Sequence, residues 1–139
     1  MMIATRAGLL YAAIIFVFGV VLGTLRTMIL LPLLGATAAV LIEAPLMLVL
    51  CWIVCGKVIH RLNVPPTLSA RAVMGLVALL TLAALEWPMG ILLFGSSLTQ
   101  ILLSYLTRQG MIGLAAQIAF AAFPVFQLMT TRPTASDPR

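Results

Sequence analysis

Four long stretches of this chain run almost without charge, and that single feature leaves few ways for it to fold. Lipid offers no hydrogen-bond partner to an exposed backbone, so a run of about 20 predominantly apolar residues reads as a membrane-spanning helix. Spans are expected over residues 8–31, 36–58, 71–94 and 110–129. Charged residues make up 8% of the 139 residues and hydrophobic ones 63%, against roughly 25% charged in soluble domains. A surface of that kind is not kept in water. The fold class is therefore an all-α membrane protein, a four-transmembrane-helix bundle in a single domain over residues 1–130. The polar tail, residues 131–139, reads as disordered.

The first span starts after Arg6 and stops, on sequence grounds, before Pro32, because the residue ahead of a proline is biased out of the helical region. Its apolar run is longer than the core of a signal peptide and no small-residue cleavage pattern follows it, so it reads as a retained span. Between the third and fourth spans, Leu98, Ile101, Leu102, Tyr105 and Leu106 recur at helical spacing. That stripe predicts a short amphipathic helix over 97–108, lying flat at the membrane surface.

The net charge of +5 does not point to nucleic acid. The eight basic residues are scattered, all but Arg26 at span ends, rather than massed on one face with reach to phosphates. In short loops they set orientation: Arg6, Lys57, Arg61, Arg71, Arg132 and Arg139 fall on one side and Arg108 alone on the other, which puts both termini in the cytoplasm. Tyr11 and Tyr105 fall near opposite interfaces, where belt residues belong, and Trp52 and Trp87 fall within spans as packing residues.

Inside the spans only Arg26, Glu43 and Glu86 are ionisable apart from cysteine and tyrosine, and each is costly in hydrocarbon. At a rise of about 1.5 Å per residue, Glu43 lies roughly 10 Å into its span and Arg26 roughly 8 Å before the end of its own. A hairpin about Leu34 and Gly35 brings the two level. By the same rise Glu86 and Gln117 fall roughly 10 to 12 Å from their span ends, so Arg26, Glu43, Glu86 and Gln117 should form one intramembrane polar layer. Gly19 and Gly23 form a G-x-x-x-G beside Arg26, and Gly113 shares a face with Gln117; these three glycines are expected to let helices approach closely. Pro45 and Pro88 each follow a glutamate by two residues and should free the carbonyls of Leu41 and Ala84.

One arginine against two glutamates leaves one negative charge in excess. A proton, a cation, a ligand or water must offset it, or the four residues form a structural network that fixes helix register. Catalysis finds no support: no serine or cysteine has a placed base, and the chain is expected not to be an enzyme. Cys51 and Cys55 share a helix turn with too few neighbouring ligands for a metal, and His60 is the only histidine, so no metal and no cofactor is expected and the cysteines read as small buried hydrophobes.

The run Gly23-Thr-Leu-Arg26 with Pro32, Gly35, Leu41-Ile-Glu43-Ala-Pro45, Met74-Gly75, Glu86 and Gly113-Leu-Ala-Ala-Gln117 resembles a pattern in small four-helix bacterial inner-membrane proteins of about this length. The resemblance covers most of the chain and implies a multi-pass protein of that membrane, with no activity carried over. The small multidrug transporters are also short four-helix chains, but their membrane glutamate lies in the first span, where this chain has Arg26. The leading expectation is a non-enzymatic accessory or scaffolding subunit whose partners are membrane lipids and other membrane-protein subunits or copies of itself. The alternative is an oligomeric proton- or cation-coupled transporter or channel built on the polar layer.

Overall fold

In the computed structural model, residues 1–131 are described; the tail expected to be disordered falls, but for Thr131, outside them. Among the described residues six α-helices follow one another: α1 (Met2–Leu25), α2 (Leu31–Leu34), α3 (Ala36–Leu62), α4 (Leu68–Phe94), α5 (Leu98–Ser104) and α6 (Arg108–Thr130). A π-helical turn, Arg26–Leu30, joins α1 to α2, so Met2–Leu34 is one continuous span of 33 residues. With α3, α4 and α6 it makes four helices long and apolar enough to cross a membrane, the architecture of a multi-pass integral membrane protein.

The first span does not stop before Pro32. Proline lacks the N–H that would bond the Met28 carbonyl, and the chain absorbs the defect by widening: the Leu31 N–H bonds the Arg26 carbonyl, five residues back. The helix then runs to Leu34, where Gly35 at φ 82° breaks it. Other helices also begin or end beyond the apolar runs because polar residues cap them. The Thr67 hydroxyl accepts the Ala70 N–H ahead of α4, and the Thr107 hydroxyl accepts the Gly110 N–H ahead of α6. Ser97 and Gln100 form a capping box that starts α5. The expected amphipathic helix over 97–108 is thus shorter, because Thr107 starts α6 at Arg108. α5 rests on α4 through Ile101, which lies against Gly90, and through Tyr105, whose hydroxyl accepts the Trp87 Nε1–H at 3.2 Å; Leu98, Leu102 and Leu106 are exposed.

The four spans form a ring in which α1 packs on α3 and α4, and α6 packs on the same two helices. Packing is uneven along it. The buried core comes from the first half of α1 and α4 and the second half of α3 and α6: Tyr11, Ile15, Cys55, Met74, Leu82 and Phe120 are among its members. Lipid gives packed helices no hydrophobic advantage over separated ones, so close approach of small residues has to hold this end together. Ala4, Gly8 and Ala12 recur every four residues on the buried face of α1. A Cβ at Gly8 would lie 2.6 Å from the Met74 carbonyl oxygen, and one at Gly75 would collide with that of Ala121.

Tyr11 is fully buried rather than a belt residue at an interface. Its ring stacks on Phe120 with centroids 4.3 Å apart, and its hydroxyl donates to the Phe120 carbonyl at 3.2 Å. That carbonyl has lost its helix donor because Pro124, four residues on, has no N–H. The tyrosine therefore crosses the ring to satisfy a backbone group that proline left open. Arg71, near the start of α4, is buried as well. It is 6% exposed, with Nη2 3.4 Å from the Val64 carbonyl.

Candidate functional site

Beyond the packed end the helices diverge, and the space between them is a cavity of about 350 Å³. Its walls come from all four spans, and the side chains that close it toward the core include Ile15, Cys51, Leu82 and Phe120. All four polar residues expected to share a layer line it.

They are arranged as two pairs, each across a neighbouring pair of helices. Arg26 Nε lies 3.0 Å from Glu43 Oε2, joining the first span to α3. The Gln117 side-chain N–H donates to Glu86 Oε2 at 2.6 Å, joining α6 to α4. Arg26 begins the π-helical turn, so the widening forced by Pro32 falls at the residue that carries the positive charge. Glu43 and Glu86 each sit two residues before the proline inside their helix. At the N-terminal ends of α3 and α6, above that level, Gln109 and Thr37 are 3.5 Å apart.

The two pairs are not equivalent. Glu43 faces a guanidinium, and its side chain is 16% exposed. Glu86 faces a neutral amide that satisfies one oxygen and supplies no charge. Of the two glutamates, Glu86 is therefore the one without a cationic partner, in a chamber whose other walls are mostly apolar: Phe16, Met47, Met89 and Phe94 are among them.

The three glycines expected to pack helices have no close neighbour across the bundle. A Cβ at Gly23 or Gly113 would meet nothing within 4 Å, and one at Gly19 would reach only the end of the Met47 side chain at 4.0 Å. All three line the cavity, because the helices that they were expected to draw together have already diverged at their level. They make room instead of contact. Trp87 does not line the cavity and is more than a third exposed, its indole N–H held by Tyr105. Cys51 and Cys55 are buried free thiols in the packed end. Among the described residues no group of three or more His, Cys, Asp or Glu side chains is placed to hold a metal.

Comparison with protein-family models, with curated proteins and with solved structures gives no match for this chain. The class that the fold defines is a multi-pass membrane protein with four helices apolar enough to span, and its function is read from the chamber between them, where four polar side chains meet mostly apolar walls.

Proposed function

We propose that this chain is a cation- or proton-coupled membrane carrier that acts through the chamber between its diverging helices. The observation that carries the reading is the inequality of the two glutamates: Arg26 neutralises Glu43, while Glu86 meets only the Gln117 amide. A carboxylate left without a counter-charge in an apolar surround binds a proton or a cation in preference to staying bare, and exchange between the two is the elementary step of coupled transport. The π-helical turn and the prolines in α3 and α4 supply bends at the level of the site. With the basic loop residues on the cytoplasmic side, the chamber faces outward, α5 lies along the outer membrane surface, and a bacterial inner membrane is the setting.

The test is reconstitution of the full chain in liposomes with a pH-sensitive dye inside. Cation addition should drive proton release that depends on Glu86, with the Glu86→Gln variant folded but inactive. Equal rates in the two proteins sink the reading.

A second reading is favoured by the packed end. Ile15, Cys51, Leu82 and Phe120 close one side of the chamber, which suits an accessory subunit that holds a partner or a lipid component. Gentle extraction without overexpression distinguishes it: a stable complex with another membrane protein supports the subunit role, and a chain that elutes alone or only with itself removes it.

A further inference from the structure

The carrier reading leaves open what kind of cation the chamber takes, and the walls bear on that. An inorganic cation such as calcium is held by six to eight oxygen ligands, and even a partly hydrated monovalent ion needs a polar shell. The oxygens on offer are few. Glu43 has one oxygen on Arg26, which leaves its other oxygen, the carboxylate of Glu86, the carbonyl oxygen of the Gln117 amide and, further along the wall, Gln109. Apart from the Arg26 guanidinium, the remaining side chains are mostly apolar, Phe16, Phe94, Phe120, Met47 and Met89 among them, with open space over Gly113. A small ion brought here would give up water for hydrocarbon. An anion would meet the unneutralised Glu86.

Resting on the carrier reading, we infer that the chamber binds an amphipathic organic monocation, its charged head at the Glu86 carboxylate and its hydrocarbon body among the phenylalanines. One such molecule restores neutrality to the four polar residues, and aromatic faces attract a quaternary ammonium through their quadrupole. The volume of about 350 Å³ is at the low end of the roughly 300–1,000 Å³ typical of small-molecule sites. It suits one aromatic ring with a short ammonium head.

Calorimetric titration of the full chain in nanodiscs with benzyltrimethylammonium, and with neopentylbenzene as its neutral counterpart of the same shape, tests this. The expected result is saturable binding of the cation, weaker by about tenfold or more for the neutral compound, since shape and apolar area are matched and only the charge differs. Glu86→Gln should lose the cation preference. The paired change Arg26→Gln with Glu43→Gln, which removes the neutral pair and leaves Glu86, should keep it. Gly113→Leu, whose Cβ meets nothing within 4 Å and whose branch extends into the chamber, should lose binding while the protein stays folded, so the inference does not hang on the fate of one buried carboxylate. Equal affinity for the charged and neutral compounds, or full cation binding by Glu86→Gln, overturns the inference. If sodium or potassium drives Glu86-dependent proton release in liposomes and benzyltrimethylammonium does not bind, the organic cation is wrong and the carrier reading stands; if neither binds nor moves protons, both fall.

Discussion

Arg26 Nε sits 3.0 Å from Glu43 Oε2, and that contact leaves Glu86 as the one of the two glutamates without a cationic partner. Glu86, on the adjoining side of the ring, has an amide for a partner. The division of labour has direct consequences for substitution. Arg26→Gln or Glu43→Gln alone strands a charge in a mostly apolar chamber and should destabilise the fold, whereas the double change should recover most of the loss. A fully buried pair broken on one side costs about 3–5 kcal/mol. The Arg26 side chain is 36% exposed, so solvent screening should bring each single loss down to about 1–2 kcal/mol. Thermal unfolding of the four proteins in one detergent gives the cycle; additive losses would mean that the pair is not coupled.

Tyr11→Phe removes the donor to the Phe120 carbonyl without disturbing the ring stack. Leaving that buried acceptor open should cost about 1–3 kcal/mol. In a Pro124→Ala background the residue-124 N–H can bond the same carbonyl along the helix, and there the Tyr11→Phe loss should shrink to a few tenths of that size. An undiminished loss would show that Pro124 is not the reason for the tyrosine.

The glycines should divide by position. Gly8→Ala drives a Cβ to 2.6 Å from the Met74 carbonyl oxygen and 2.9 Å from the Val77 Cβ, an overpacking that costs about 1–3 kcal/mol. Gly23→Ala and Gly113→Ala meet nothing and should stabilise their helices by about 0.5–1 kcal/mol through the lost freedom of glycine. Thermal stability of the three variants checks this, and a destabilised Gly113→Ala would argue for a helix contact where the chamber stands.

Tyr105→Phe should loosen α5 locally. The Trp87 Nε1–H loses its acceptor, and with Ile101 against Gly90 as the other contact, amide exchange over Leu98–Ser104 should quicken. Exchange in the packed end around Met74 should not change. Uniform acceleration across the protein would assign the bond a global role.

These outcomes also mark how far the sequence could be read. The spans and the polar layer followed from hydropathy and from helical rise, because depth along a straight helix is a one-dimensional quantity: Arg26 and Glu43 are level because both are counted from one turn. How far apart two helices stand is not such a quantity. Gly19 and Gly23 have the spacing of a packing motif, yet Ala4, Gly8 and Ala12 do that work, and only the divergence of the bundle tells the two apart. Tyr11 was misplaced for a related reason. Its distance from the chain start suggests an interface, while its bond to Phe120 joins residues 109 positions apart. The signal was available in Pro124, which opens a carbonyl in an apolar helix and therefore requires a donor from elsewhere. Arg71 lies near a span end, as an anchor would, and its burial depends on how the 63–67 turn folds over it, which spacing does not reveal.

The central claim is that Glu86 alone among the four polar residues takes up and gives off charge. Infrared difference spectroscopy of the protein in membranes, recorded across a pH titration in the carboxylic-acid stretching region, tests it most directly. The account predicts a protonated-carboxyl band that is absent from Glu86→Gln and retained when Arg26 and Glu43 are both changed to glutamine. A band that survives Glu86→Gln and vanishes in the paired variant would contradict it.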